Sequence, residues 1–419
     1  MKRYLIALVS LVLTFSMLFA IPTSAAWTFD EKYNQAPESF AYSFAFVGDT
    51  QSLAMLDAGT VTGSTAGQIA LSDWGYDTTN HIGKGYMAQM YDWIVANKDE
   101  KKIAHVFGLG DITQNRNTAE GVREWEVAKE AWSRMDGKVS YSMVRGNHDN
   151  ASLYTQYLNY DAYVNQFDGV YTSGKNTARS TYKLLDVGVD KYLLISLDFG
   201  PDTRVMNWAE ELVKAHPDRR VIITTHGYLL DQSRRTSKEK GDWVSTTDNG
   251  YSWGEDLWNQ IVRKYENVLM VVCGHCSANP VAFRTVKGDA GNTVFEVMFN
   301  PQGYDMYTRP AGMVALMYIA EDGASLTLEY YSTIQDEYCN PGFIKKKVTT
   351  LVADPSAVTT TVTETTVSPD ATTAPDDTSA VTTAAATASS GGCGAIVLAP
   401  ALPVSVGVSA FAFRKRKKA

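Results

Sequence analysis

Five apolar runs that each break off at a polar, chemically useful group limit this chain more than its composition does. They read YSFAFVGD to Asp49, IAHVFGLGD to Asp111, VSYSMVRGNHD to Asp149, RVIITTHG to Gly227 and VLMVVCGH to His275. Near-continuous Val, Ile, Leu and Phe content marks strands covered on both faces. Helix-period segments lie between them: 85–98, 118–135, 206–216 and 254–265. Such alternation predicts an α/β sandwich. Open α/β sheets gather ligands in the loops after the C-terminal ends of their strands. Asp49, Asp111, Asn147, His148, Asp149, His226 and His275 can therefore meet despite their separation in sequence.

Two stretches depart from the alternation. In LYTQYLNYDAYVNQF (153–167), Leu153, Tyr157, Tyr160, Val164 and Phe167 recur at helical spacing, which predicts one helix with a buried aromatic stripe. MVALMYIAEDGASLTLEYYS (313–332) alternates around Asp322-Gly323, a β-hairpin pattern expected to close a second sheet.

The 419 residues are not expected to fold together. Residues 1–26 carry Lys2 and Arg3, an apolar run and a small-residue site at Ala25 or Ala26, the pattern of a secretory signal peptide. Residues 27–353 form the expected folded domain. Residues 354–392 hold twelve threonines and no Lys or Arg, which reads as a disordered stalk with a reach of roughly 120 Å. Residues 393–413 include an uncharged run from Ala395 to Phe413, long enough to cross a bilayer, and the basic tail 414–419 would stay cytoplasmic. The expectation is a protein outside the cell, anchored to its surface by a C-terminal membrane segment.

Seven of the 38 Lys and Arg lie in the termini and five of the 46 acids in the stalk, leaving 31 against 41 and a net charge of −10 on the folded part. That balance argues against binding nucleic-acid duplexes. Of four cysteines, Cys339 and Cys393 stand far apart, so no disulfide framework emerges. Cys273 and Cys276 imitate a redox CxxC, but no helix-opening pattern follows them.

Carboxylates, an amide oxygen and imidazoles at one cleft suit a divalent metal such as Mn, Fe or Zn. GDTQ, GLGDITQN, VRGNHD, TTHGY and CGHCSA, in that order, resemble the motifs of the calcineurin-like metallophosphoesterases. The resemblance spans about residues 43–302. It implies a four-layer αββα sandwich of two mixed β-sheets flanked by helices, and hydrolysis of phosphate mono- or diesters with two metals. It further implies that Asp111 bridges the metals, that Asn147, His226 and His275 complete the second metal's shell, and that Asp49 holds the first. His148 would protonate the leaving oxygen, with Asp149 orienting its ring.

The family pattern Asp-x-His is here Asp49-Thr50-Gln51, and Gly-His-x-His is Gly274-His275-Cys276-Ser277. In the scheme the resemblance implies, both missing histidines belong to the first metal. Three outcomes follow: a first metal held by Asp49, Asp111 and Gln51 oxygens, which favours Mg, Mn or Ca; a one-metal hydrolase; or a relic that binds without turnover. His81 could substitute as a ligand, though a surface role at the start of a helix suits it better. The leading function is a surface-tethered phosphoesterase acting on a phosphate-ester small molecule or wall polymer. Its rivals are a non-catalytic surface binder or adhesin and a disulfide oxidoreductase. Arg234, Arg235, Lys238 and Lys240 could meet an anionic substrate.

Overall fold

The computed structural model describes residues 29–31, 37–61, 80–115, 119–158, 163–171, 179–230, 234–242, 252–276, 281–302, 305, 310–321, 323, 325–338 and 349–352. The segments read as signal peptide, stalk, anchor and tail lie outside the described residues, as do Tyr160, Ser277, Cys339 and Cys393. Among the described residues no helix is long and apolar enough to cross a membrane.

The run to Asp49 forms β2 (Tyr42–Val47), buried at all six positions. Its side chains alternate between two cores, as strand geometry requires. Phe44 and Phe46 join Phe107 of β3 (Ile103–Gly108), Leu194 of β7 (Asp190–Ser196), Ile222 of β8 (Arg220–Thr224) and Met270 and Val272 of β9 (Val268–Cys273). Ala45 and Val47 belong instead with Leu53 of α1 (Gln51–Ala58), Met90 of α2 (Tyr86–Asn97) and Trp125 and Trp132 of α3 (Ala119–Ser133). A third core joins Leu193, Ile195, Ile223 and Val271 to α5 (Thr203–Ala215) and α6 (Gly254–Leu257), the latter continued by a π-helical turn, Trp258–Val262. Three cores separate four layers: helices, sheet, sheet, helices.

The first sheet runs β1 (Phe29–Glu31), β15 (Thr349–Val352), β13 (Ser325–Ser332), β12 (Met313–Ile319), β2, β3 and β4 (Tyr141–Met143), with β14 (Glu337–Tyr338) on β13. The second runs β10 (Val281–Lys287), β11 (Thr293–Phe299), β9, β8, β7, β6 (Thr181–Val187) and β5 (Gly169–Val170). Parallel pairs occupy the centre of the second sheet and one end of the first, and antiparallel pairs complete both. Both sheets are mixed, as expected.

Two expectations are corrected. The hairpin at 313–332 forms, with Ile319 opposite Leu326, but β12 pairs with β2 and so extends the first sheet. All seven residues of β12 are buried, which suits an interior strand, and alternation alone does not name a sheet. The segment 153–167 is not one helix. Asn150 caps α4 (Ala151–Tyr157) by accepting the Ser152 and Leu153 N–H groups at 2.8 and 3.0 Å, and a separate 3-10 turn spans Val164–Gln166. The helix stops at Leu158, and tertiary bonds tie both pieces to β4: the Tyr163 oxygen accepts the Met143 N–H at 2.6 Å and Tyr154 donates to the Met143 carbonyl at 3.2 Å.

A polar seam ties the sheets together. His105 bridges Ser140 and Ser142, and hydroxyls continue from Ser142 to Ser196 and Thr224 at 3.0 Å per step. Burial pulls the His105 imidazole down to about 3, so it stays neutral.

The sheets approach closely beside the first motif. A Cβ on Gly48 would lie 2.3 Å from the Phe299 carbonyl oxygen. Because that neighbour is backbone, it cannot swing aside. Gly48→Ala should therefore destabilise the fold by about 3 kcal/mol, read from urea denaturation. A change below about 0.5 kcal/mol would mean that this contact does not set the spacing of the sheets.

Candidate metal centre

Three of the five runs place their terminal group by a sharp turn of the backbone. Asp49, Asp111 and His275 adopt left-handed conformations, with φ of 48°, 47° and 75°. Each costs of order 1–3 kcal/mol in backbone strain, and such strain concentrates at functional sites. Glycines make room for the turned groups: a Cβ on Gly146 would lie 2.1 Å from Asp111 Oδ1, and one on Gly274 2.2 Å from Asp49 Oδ2.

Four of the expected ligands converge. His226 Nδ1 lies 2.7 Å from the Leu109 carbonyl oxygen, which can only accept, so Nδ1 carries the proton. In the neutral form Nε2 then presents its lone pair beside Asp111 Oδ2 (3.2 Å), Asn147 Oδ1 (3.1 Å) and His275 Nδ1 (3.2 Å). Electron-rich atoms do not crowd together in a buried site without a positive charge among them. Ligand atoms of Asp111, His226 and His275 lie within 4.8 Å of one another. This donor set fits a divalent cation.

Asp49 stands beside that group. It is fully buried, and its carboxylate accepts the His275 N–H at 3.1 Å. Gln51 follows on the first turn of α1, fully buried, and neither its amide oxygen nor its amide nitrogen has a hydrogen-bond partner among the described residues. An orphaned buried amide costs about 1–3 kcal/mol, and coordinating a cation would relieve it at the oxygen. Asn300, at the end of β11, keeps its Oδ1 on the Gln302 N–H at 2.9 Å while its buried Nδ2 has no hydrogen-bond partner among the described residues. The first motif and the turn after β11 run side by side, joined by a Ser52 hydroxyl to Gln302 carbonyl contact of 3.4 Å.

His148 is half-buried at the cleft. Its N–H donates to Asp111 Oδ1 at 2.8 Å, and its ring Nδ1 to the Gln114 carbonyl at 3.1 Å. In that tautomer Nε2 is the basic nitrogen. The expected role of Asp149 is corrected. Its carboxylate accepts the N–H groups of Gly146 (2.8 Å), Ile112 (3.0 Å) and Thr113 (2.9 Å), so it ties the second and third motifs together and Gln114 orients the ring. Three backbone donors outcompete a neighbouring imidazole for one carboxylate.

Other candidates have structural partners. His81 Nδ1 lies 2.7 Å from the Tyr86 hydroxyl. Arg234 pairs with Asp242, and Arg235 is buried against Glu296 at 2.6 Å and stacked on Trp258 at 3.8 Å. Cys273 is a buried free thiol that burial pushes up, unsuited to exchange. Sequence reasoning missed Gln114, Asn300 and Phe199, whose ring lies 5.3 and 5.5 Å from those of His226 and His275. SLDFG carries a strand-end pattern like the five motifs, which is the signal that could have found Phe199.

Burial pushes the Asp49 carboxyl well above its usual range, and Asp111 nearby adds to this. Burial acts the same way on Asp111, but His226 and His148 overcome it and hold that carboxyl below its usual range. Burial pulls the His226 imidazole down, yet Asp111 and Asp49 raise it to about 9. Absent a metal, His226 carries the compensating charge.

The family model described as calcineurin-like phosphoesterase matches residues 42–276. The uncharacterized protein YvnB of Bacillus subtilis (strain 168) is 28% identical over 190 residues, 44% of this chain and 13% of YvnB, so the chain spans a small part of that relative. Among solved structures, a dimetal phosphatase from Danio rerio is 12% identical, with a TM-score of 0.44, over 72% of this chain and 99% of that one. A purple acid phosphatase, PPD1, from yellow lupin (Lupinus luteus) seeds is 15% identical, with a TM-score of 0.44, over 79% of this chain and 59% of its own.

In metal-stripped protein, the stability owed to protonated His226 is complete below its unfolded value of 6.5 and lost as pH rises through about 9. A divalent cation takes the proton's place, so its apparent affinity should rise over the same interval. Thermal melts of EDTA-treated and Mn-loaded protein should diverge as pH increases. A constant gap would contradict this reading of the site.

Proposed function

The chain belongs to the calcineurin-like phosphoesterase family, and we propose that it is a secreted, surface-anchored enzyme that hydrolyses phosphate mono- or diesters outside the cell. The family supports a metal-dependent phosphoester hydrolase and a small-molecule phosphoester as substrate. The single observation that carries the reading is the convergence of Asp111, Asn147 and His275 on His226 Nε2. The apolar, stalk-like and basic segments of the sequence support the location.

Asp111, Asn147, His226 and His275 would hold one cation, a nitrogen-bearing set suited to Mn, Fe or Zn. Asp49, with Gln51 Oε1, offers only oxygen and favours Mg, Mn or Ca. When bound, such ions supply positive charge to the phosphoryl oxygens and acidify water. His148 acts on the other side of the reaction. In its doubly protonated form, as the bond from phosphorus to the leaving oxygen breaks, the imidazolium passes its Nε2 proton to that oxygen and returns to the neutral tautomer whose Nδ1–H stays on Gln114. A non-catalytic surface binder is the second reading, favoured by Gln51, which supplies no nitrogen where the family has histidine.

The purified protein supplied with Mn or Mg should hydrolyse an aryl phosphate mono- or diester. His148→Ala should lower kcat about a hundredfold or more and leave bound metal unchanged by elemental analysis. No hydrolysis across a broad panel of metals and esters, with no bound metal, would count against the enzyme and favour the binder.

A further inference from the structure

The α3 helix carries a carboxylate on its buried face. Gly121, Glu124, Trp125, Ala128, Ala131 and Trp132 are its buried residues, and Glu124 is fully inaccessible. A charge is costly there unless donors surround it. Glu124 Oε2 accepts the backbone N–H groups of Gln114 and Asn115, both at 2.8 Å. Its Oε1 accepts the Asn115 side-chain amide at 2.6 Å and the Thr60 hydroxyl at 2.5 Å. Three of these four donors belong to the turn that follows Asp111 and fix it, and the Thr60 hydroxyl steadies the carboxylate from the other side. At that turn the Gln114 carbonyl, in the same residue whose N–H Glu124 holds, accepts the His148 Nδ1 proton.

We propose that Glu124 is the positioning residue for His148: by clamping Gln114 and Asn115 it aims the Gln114 carbonyl, which sets the tautomer and orientation of the imidazole. The proposal rests on the reading of His148 as proton donor to the leaving oxygen. Glu124 touches neither substrate nor metal ligands in this scheme. It acts through one backbone carbonyl, and charge-assisted bonds make that carbonyl's position stiff. A neutral amide can do most of the same work. Glu124→Gln can keep its oxygen on the two backbone N–H groups and turn its NH2 toward the Thr60 hydroxyl and a flipped Asn115 amide.

The test compares leaving groups in the full chain loaded with Mn. Phenyl phosphate needs leaving-group protonation more than 4-nitrophenyl phosphate does, and the methyl diesters of both extend the comparison. His148→Ala should lose about a hundredfold in kcat on the phenyl ester and about tenfold on the nitrophenyl ester. Glu124→Ala should follow the same grading at smaller size, about twentyfold against about threefold, with KM and metal content unchanged. Glu124→Gln should stay within about threefold on both. Imidazole 15N spectra, assigned by loss of the His148 signals in His148→Ala, should show the Nδ1–H form in the parent and Glu124→Gln proteins and a tautomer mixture in Glu124→Ala. If Glu124→Ala does not fold, Glu124→Asp replaces it, since its carboxylate is withdrawn by about 1.5 Å. A loss in His148→Ala that is equal for both esters removes the proton-donor reading and this inference with it. A graded loss in His148→Ala, with an equal loss or none in the Glu124 variant and unchanged His148 nitrogen signals, leaves the donor standing and overturns the role of Glu124.

Discussion

Two carboxylates withdrawn wholly from water, Asp49 and Asp111, stand where both sheets end, and the surrounding architecture answers the need for positive charge this creates. Protein interiors do not tolerate bare anions, so the cluster must recruit a proton or a metal. Strand ends and backbone hydrogen bonds fix the cluster. Strands carry the groups to the cleft, the Leu109 carbonyl sets the His226 tautomer, and backbone N–H groups hold the Asp149 and Asp49 carboxylates. A metal centre gains affinity when its ligands are ordered in advance, because little entropy remains to be lost on binding.

Much of this was legible in the residues. Continuous apolar runs identify β2, β3, β8 and β9, and the polar group at the end of each is where the cleft forms. Periodicity records how a side chain alternates, which finds the hairpin at 313–332 but not the sheet it joins. Tertiary hydrogen bonds from Tyr154 and Tyr163 to the Met143 backbone were invisible, and they hold the two pieces of what the spacing presents as one helix. Asp149 illustrates the same limit at the site. Its place beside His148 in sequence suggests a pair, whereas in space three backbone donors claim it. Glu124 left a trace: it sits on the helix stripe otherwise formed by Gly121, Trp125, Ala128 and Trp132. A carboxylate on a buried stripe is informative because it must be paid for by partners.

The two halves of the site differ in kind. His226 and His275 bring nitrogen to one side, while the other has Asp49 and an amide without a partner. Softness of ligands selects metals, so on the proposed reading the two halves would prefer different ions. The seam from His105 to Thr224 keeps the sheets in register behind both halves, and Gly48 against Phe299 limits how closely they approach.

The left-handed turns at Asp49, Asp111 and His275 narrow the alphabet from which such a centre can be spelled. Outside glycine, that region of backbone space favours Asn, Asp and His. Those are also the side chains that coordinate hard and borderline cations. Conformation and chemistry therefore draw on one vocabulary at these positions: glutamate would keep the charge but fit the turn less well, and asparagine would fit the turn without the charge.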